Sequence, residues 1–285
     1  MMSKFLFALI LMPCLVFCND KPYIIYGGHG CGMFSAFLMV VGLLDGYDKG
    51  EYAGVEVRFG KGEFYYDEAH GPNRWEYYFS PINTKKDPLI SPEPLTSNLF
   101  FFIAHQGHSA LSRKRCHDLI EKYITIKPEF LNQVDDFLKT NVHDETLIGI
   151  HYRATDKFCC DAPSISPEKV CAKIKEEILK LSTGKIKIFV ATDSESFLQF
   201  MKTCFGTKVI YFDMKRSQGD APIHTDYTID GYTKGKMALL DCLVLSKCDL
   251  LLRTASNLSN ASTLLNPTVP VIRLNYGYRR DWDRE

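Results

Sequence analysis

The first half of the chain alternates short apolar runs of strand length with longer runs of helical spacing. YIIY (Tyr23 to Tyr26) and NLFFFIA are predicted buried strands, and GVEVRF alternates with the two-residue period of a strand. MFSAFLMVVGLLDGY has helical length and spacing, GPNRWEYYFSPI predicts a short aromatic helix, and the pattern from Ser109 to about Thr140 is helical, with Pro128 starting a second helix. Polar NVHDET (Asn141 to Thr146) is the most plausible domain boundary.

The second half repeats this alternation more regularly. Predicted strands are LIGIHY, KIKIFVATD, KVIYFD, LLLRTA and VPVIRL, and predicted helices are SPEKVCAKIKEEILKL, SESFLQFMKTCFG, GKMALLDCLVLSKCD and SNASTLLN. Strands that alternate with helices indicate an α/β fold whose parallel sheet is covered on both faces. Ligands of such sheets bind beyond the carboxyl ends of the strands, so the polar clusters after IGIHY, FVA and LLL are expected at one rim.

The rim residues have the chemistry of an anion site. Arg153 and Lys157 leave their strand four residues apart, so both can reach one anion, and a guanidinium can grip a diphosphate through two hydrogen bonds. Asp193 is placed to accept hydrogen bonds from a base or ribose. Ser256, Asn257 and Ser259 lie at a turn that enters a helix, where hydroxyls and backbone N–H groups suit phosphate.

A glycine-rich turn, GGHGCGMFS, precedes the first helix. Glycine permits close backbone approach, so Gly28 and Gly30 are candidates to close over the ligand from the opposite domain. The turn does not have the GxGxxG spacing of a dinucleotide fingerprint, and alone it is weak evidence.

Each of these residues also has a purely structural interpretation. Arg153 could pair with Asp156 or with an acidic residue of the other domain, and Asp193 could cap the helix that begins at Ser194. The serines of SNLS could serve only as caps, and His151 could be a structural histidine. The coincidence of the clusters at successive strand ends favours a site.

Charge and cysteine content narrow the partners. Lys plus Arg equals Asp plus Glu at 34 each in 285 residues, a balance that argues against a nucleic-acid-binding surface. No two cysteines form a CxxC pair, so no zinc site is expected. Buried free thiols at Cys204 and Cys242 are at least as plausible as disulfides.

The N-terminal segment resembles a targeting signal. Lys4 precedes the apolar run FLFALILMPCLVFC, polar residues follow, and cleavage after Cys18 is tolerable. We expect residues 1–18 to be a signal peptide or a short membrane anchor, with a buried strand as the alternative. The expected location is the secretory pathway (ER or Golgi lumen) or an anchored or exported position, and the cytoplasm if the segment is no signal.

Three motifs resemble the fucosyltransferase superfamily that includes the rhizobial nodulation fucosyltransferase, the α1,6-fucosyltransferases and, more distantly, the protein O-fucosyltransferases. IGIHYRATDK resembles its H-x-R-x-T-D-K motif, FVATDSESFL its second motif, and ALLDCLVLSKCDLLLRTASNLSNAS its third. The three motifs occur in the family's order between Leu147 and Ser262.

The resemblance implies a GT-B fold, in which two Rossmann-like domains face each other across a cleft, and an inverting, metal-independent transfer of fucose from GDP-fucose to a glycan or glycoprotein, without a cofactor. By position, Arg153 would bind the donor β-phosphate, His151 and Asp193 would contact the nucleotide, and Ser256 and Asn257 would lie near it. The domains would be 22–145, on the acceptor side, and 146–276, on the donor side, followed by a charged tail, 277–285.

The chain departs from the family at two points. Some α1,6-fucosyltransferases have a second Arg directly after the first, where this chain has Ala154. Those enzymes also use a carboxylate shortly after the Lys as the proposed base; the corresponding residue here is Asp161, which is Asp where they have Glu and follows the unusual pair Cys159–Cys160. Arg153, Lys157 and Asp161 are therefore the candidate catalytic residues. Another nucleotide-sugar donor, or a non-catalytic binding protein, remains an alternative.

Overall fold

A computed structural model describes residues 21–27, 32–62, 64–84, 93–94, 111–155, 162–181, 184–219 and 221–276. Two parallel sheets organise this part of the chain. The first has three strands in the order β2-β1-β3, and the second has five in the order β6-β5-β4-β7-β8. The N-terminal signal-like segment, the predicted strand NLFFFIA and the charged tail lie outside the described residues.

The first sheet is built around an apolar helix. Strands β1 (Tyr23–Tyr26), β2 (Gly54–Val57) and β3 (Glu93–Pro94) pair in parallel, and helix α1 (Met33–Asp48) connects β1 to β2. Most of α1 is buried, which matches its nearly continuous apolar sequence. The predicted aromatic helix is a short 3-10 helix, Arg74–Tyr77, which begins where the Asn73 side chain accepts from the backbone N–H of Trp75.

Two amphipathic helices join the sheets. Helix α2 (Arg113–Tyr123) is capped by the Ser112 hydroxyl, and α3 (Pro128–Asn141) begins with proline in its first turn, as predicted.

The second sheet follows the predicted alternation closely. Its strands are β4 (Thr146–Tyr152), β5 (Ile186–Thr192), β6 (Val209–Ile210), β7 (Leu250–Arg253) and β8 (Val271–Arg273). Its helices are α4 (Pro167–Lys180), α5 (Glu195–Phe205), α6 (Gly231–Ser246) and α7 (Asn257–Leu265). Helix α6 begins four residues before the predicted start because the Asp230 side chain accepts from the N–H of Thr233 at 2.6 Å and caps it.

Apolar clusters cover both faces of the second sheet, as a parallel sheet requires. Alternate residues of β4 point to opposite faces: Leu147 joins a cluster with α6, and Ile148 joins a cluster with α4 and α5. Gly149 allows β4 to approach the end of α6, since a Cβ there would lie 2.7 Å from the Cys248 sulfur.

One apolar core continues from the first sheet to the second. It holds Ile24 and Phe37 from the first and Phe189 and Leu251 from the second. Helices α2 and α3, which precede the predicted boundary, pack against α7 and α6. The boundary at residue 145 therefore stays a prediction, although each sheet is a separate unit.

Five cysteines in the described residues are free thiols: Cys116, Cys171, Cys204, Cys242 and Cys248. This agrees with the free-thiol interpretation of Cys204 and Cys242. Among the described helices, none is long and apolar enough to cross a bilayer.

Candidate active site

A pocket of about 340 Å³ lies between the two sheets, at the carboxyl ends of β4, β5 and β7. The first half of the chain contributes residues that follow the glycine-rich turn, from Gly32 to Ser35, together with Phe64 and Tyr65. The second half contributes the charged and polar lining residues His151, Arg153, Thr192, Asp193, Lys215, Arg216, His224, Lys234, Asp241, Ser256 and Asn257. The predicted rim therefore forms one site.

Arg153 and Asp193 form an ion pair at the centre of this rim. The Arg153 Nη1 atom lies 3.0 Å from Asp193 Oδ2, and the Asp193 side chain is almost fully buried. The same carboxylate accepts hydrogen bonds from the Ala154 N–H at 2.9 Å and from the Thr155 hydroxyl at 2.7 Å. Asp193 thus holds the loop after β4 and orients the guanidinium toward the pocket.

The sequence left two structural interpretations open: Asp193 as a helix cap, and Arg153 as the partner of an acidic residue. Asp193 is not the helix cap, because the Ser194 hydroxyl accepts from the Phe197 N–H at 3.2 Å and caps α5 instead. Arg153 does pair with an acidic residue, Asp193 of the same rim. Its pairing with Asp156 stays a prediction, because Asp156 lies outside the described residues. The contact of Asp193 with a nucleotide stays a prediction.

His151 is a buried, neutral residue that lines the pocket. Burial, followed by the nearby Arg153 and Arg253, lowers the His151 pKa to about 3. Its Nδ1 atom has no hydrogen-bond partner among the described residues. The ring is therefore uncharged at neutral pH, and it can form a hydrogen bond with a ligand without adding charge to the pocket.

The turn after β7 is divided between pocket and core. Ser256 and Asn257 line the pocket, and Ser256 occupies the cap position of α7 without a side-chain cap bond. Ser259 does not line the pocket: it is fully buried, and its hydroxyl donates to the carbonyls of Thr254 and Ser256 at 3.1 and 3.2 Å. The predicted ligand contact at Ser259 is corrected accordingly, because its hydroxyl already serves this turn.

Four predicted site residues, Gly28, Gly30, Lys157 and Asp161, lie outside the described residues. Gly32 and Ser35, from the end of the glycine-rich segment, do line the pocket. No group of three or more His, Cys, Asp or Glu side chains with metal-binding geometry occurs in the part of the chain that the structure describes.

Asp241 is the most informative pocket residue that sequence reasoning missed. It lies in α6, its Oδ1 atom is buried, and that atom has no hydrogen-bond partner among the described residues. Burial raises its pKa from 3.8 to about 7, although the nearby Arg216 opposes this. The available signal was a single carboxylate inside the apolar run ALLDCLVL.

Residues of the long loop after β6, from 212–219 and 221–228, line the pocket and were also missed by sequence reasoning. Arg216 donates to the carbonyls of Met214 and Phe212 at 2.9 and 2.8 Å, and folds the segment back on itself. The buried Lys234 of α6 donates to the carbonyls of His224 and Asp226 at 3.2 and 3.1 Å. Without regular spacing, no local pattern indicates that this loop returns to the site.

Two parallel sheets that face each other across such a pocket define a GT-B glycosyltransferase fold, and solved structures confirm it. The structure of NodZ α-1,6-fucosyltransferase soaked with GDP-fucose aligns with a TM-score of 0.60 and 17% identity, over 87% of this chain and 93% of that chain. Fucosyltransferase NodZ from Bradyrhizobium aligns with a TM-score of 0.60 and 15% identity, over 90% and 96% of the chains. POFUT1 in complex with GDP aligns with a TM-score of 0.54 and 10% identity, over 90% and 99%.

Residues 112–280, more than half of the chain, match the family model of nodulation protein Z (NodZ). The chain belongs to the NodZ family. Membership confirms both the predicted fucosyltransferase superfamily and the predicted class of enzyme, a fucosyltransferase. No curated protein sequence gives a significant match to the chain.

Proposed function

We propose that the protein transfers fucose from GDP-fucose to a glycan or glycoprotein acceptor, with inversion at the sugar carbon and without a metal. Family membership supports the fucosyl transfer. The observation that carries the choice of donor is the joint presence in one pocket of Arg153 and of Asp241, whose Oδ1 atom is buried.

The position of Arg153 is evidence that the donor carries a diphosphate. Asp193 holds its guanidinium from one side, and the side chain still lines the pocket. A cation oriented in this way can neutralise phosphate oxygens without first reorganising.

Asp241 is evidence that the base of the donor nucleotide is guanine. An ionised carboxylate accepts hydrogen bonds only, and guanine offers two donors on one edge, N1–H and the 2-amino group. Adenine offers no comparable pair of donors. A base that satisfies the buried Oδ1 atom would remove the penalty of an unpaired polar group.

The proposed reaction is a single displacement. The acceptor oxygen forms a bond to the fucose anomeric carbon from the face opposite the diphosphate. The bond from that carbon to the phosphate oxygen breaks, and its electron pair leaves with GDP. A carboxylate takes the acceptor proton, and we assign this role to Asp161 on the strength of the family resemblance. Negative charge grows on the diphosphate as the sugar becomes oxocarbenium-like, so Arg153 stabilises the transition state more than the ground state.

A thermal-shift titration of the purified protein with GDP, GDP-fucose, UDP and ADP tests the donor. We expect stabilisation by the two guanine nucleotides alone, by roughly 2.7 kcal/mol at about 100 times the dissociation constant. Arg153→Ala should abolish it. Arg58→Ala, which removes an exposed arginine paired with Glu56 on the first sheet, is the matched control.

A transfer assay with GDP-fucose in excess EDTA tests the remaining claims. Retained activity with an α-linked product from the β-linked donor would support metal independence and inversion. Stabilisation by UDP or ADP would favour another donor, and donor binding without transfer to any glycan would favour a non-catalytic protein.

We also propose that the protein enters the secretory pathway or is anchored to a membrane by residues 1–18. The positive, apolar and polar order of that segment supports this. N-terminal sequencing of the protein expressed in its own type of cell tests it: a mature end near Asn19 indicates cleavage, and an intact Met1 in a cytosolic fraction would contradict the proposal.

A further inference from the structure

His224 lies beside the guanidinium that the proposed function assigns to the diphosphate. Its ring belongs to the short 3-10 helix Ile223–Thr225 and lines the pocket. The His224 Nδ1 atom is 3.4 Å from Arg153 Nη2. The His224 ring also packs edge to face with the Phe64 ring, which comes from the first half of the chain, with centroids 5.5 Å apart.

The contact with Arg153 determines which ring nitrogen carries the proton. A guanidinium has only N–H donors, so Nδ1 of His224 acts as the acceptor. The neutral ring then carries its proton on Nε2. A protonated imidazolium would place a second N–H and a second charge against the guanidinium. The ring therefore carries an N–H donor at Nε2, on the side of the ring that faces away from Arg153.

The backbone of His224 is held from beneath by a buried cation. Lys234 donates to the His224 carbonyl, as described above, and to the carbonyl of Asp226. The Asp226 carboxylate in turn accepts from the Thr228 N–H at 2.8 Å and pairs with Lys215 at 2.7 Å. A lysine only 8% exposed that binds two carbonyls of one turn fixes the position of that turn.

We propose that His224 is a second hydrogen-bond donor to the donor-sugar diphosphate, beside Arg153, and that Lys234 positions it. The inference rests on the proposed function and deepens it. Arg153 supplies charge, and the neutral Nε2–H supplies direction. Two adjacent donors of different kinds can contact oxygens of both phosphates without adding a second full charge to the pocket.

The same geometry excludes His224 as the acceptor base. To receive a proton at Nε2, the neutral ring would have to carry its own proton on Nδ1. That proton would then face the donating Arg153 side chain. His224 therefore binds the leaving group, and proton removal falls to another residue.

Isothermal titration of the full-length protein with GDP and with guanosine tests the proposal. His224→Ala should weaken GDP binding by about tenfold or more, the effect of removing a hydrogen bond to a charged group. Guanosine, which lacks phosphate, should bind with unchanged affinity. His224→Gln, whose amide nitrogen reaches the Nε2 position, should restore most of the GDP affinity. His224→Asn, which mimics only Nδ1, should not.

Three results would overturn the proposal. Equal GDP affinity in the wild type and His224→Ala would mean that His224 does not contact the diphosphate. Rescue by Asn but not Gln would mean that the ring only holds Arg153. Equal losses for GDP and guanosine would mean that the substitution disturbs the whole pocket. Wild-type protein that binds no GDP at all would instead refute the proposed function.

Lys234→Met tests the positioning role, with Lys236→Met on the same helix as the control. We expect Lys234→Met to weaken GDP binding as much as His224→Ala, with no additional loss in the double variant, because both act on one contact. Additive losses, or equal effects of the two lysine variants, would contradict the assignment to Lys234. Circular dichroism confirms that each variant is folded.

Discussion

The two walls of the pocket differ in chemistry although both belong to parallel α/β units. The described wall from the first half, Gly32 to Ser35 with Phe64 and Tyr65, contributes no charged side chain. The wall from the second half contributes four cations and two carboxylates. Recognition of a charged nucleotide therefore belongs to the second wall, while the first supplies shape and apolar surface.

The sheets account for this difference. In the second sheet, β4, β5 and β7 are hydrogen-bonded neighbours in parallel, so the residues that follow them converge on one edge. Helix α6 and the described residues of the long loop after β6 extend that edge. We expect the charged wall to be sensitive to substitution and the apolar wall to tolerate it.

The largest expected effect is at Arg153. Arg153→Ala should lower kcat/KM with GDP-fucose by about 100- to 1000-fold, the usual result of removing one preorganised charge-stabilising group. Asp193 retains Thr155 and the Ala154 N–H as partners, so the variant should fold. Steady-state kinetics, with Arg58→Ala as the control, measures the effect. A loss in kcat/KM of less than tenfold would mean that Arg153 does not contact the diphosphate.

The second effect concerns Asp241 and pH. Guanine needs the ionised carboxylate, and the Asp241 pKa in the free protein is raised to about 7. Affinity for GDP-fucose should therefore fall as the pH drops below about 7, by at most tenfold per pH unit. The diphosphate of GDP-fucose is a diester and does not titrate there, unlike the terminal phosphate of GDP. Asp241→Asn should bind more weakly and independently of pH, and a parallel pH profile in both proteins would contradict the assignment.

Asp241 should also affect stability, with a definite sign. Its pKa is higher in the folded protein than the ordinary 3.8, so the folded state holds a proton that the unfolded state loses between about pH 4 and 7. The free energy of unfolding should therefore decline as the pH rises through this window. Asp241→Asn should remove that decline, which amounts to about 2–3 kcal/mol between pH 5 and pH 8 in the wild type. Urea unfolding at the two pH values measures it, and an equal decline in both proteins would refute it.

A third effect tests whether the two walls are rigidly joined. At Gly231 a Cβ would lie 2.4 Å from the Tyr66 carbonyl oxygen, a backbone atom of the first wall's side. Gly231→Ala should therefore lower the free energy of unfolding by about 1–3 kcal/mol, as overpacking does. Gly184→Ala is the control, because a Cβ there meets nothing within 4 Å. Similar denaturant midpoints for the two variants would mean that the walls separate easily.

The smallest effect is expected at the apolar wall. Phe64 lines the pocket but is 39% exposed. Phe64→Ala should change GDP affinity by less than about fivefold, since little apolar surface is lost. Calorimetry compares the GDP affinity of this variant with that of Arg153→Ala. Comparable losses of affinity in the two variants would contradict the difference between the walls.

Much of the fold was predictable because its signals are local. The sequence YIIY is β1 with the predicted bounds, and Pro128 opens a helix as expected. Helix α6 was placed four residues late, since its start depends on the Asp230 cap and not on apolar spacing. Strand β6 covers only Val209–Ile210, because pairing with β5 ends sooner than the apolar run.

Local patterns in the chain already predict the order of strands and helices. They also predict that the same rim holds His151, Arg153, Asp193, Ser256 and Asn257, because parallel strand ends share an edge. Long-range contacts settle that Asp193 orients Arg153 instead of capping a helix, and that Ser259 faces the core. The same kind of contact brings Asp241 and His224 to the pocket. These outcomes depend on contacts between residues far apart in the chain, and hydrophobic periodicity carries no record of them.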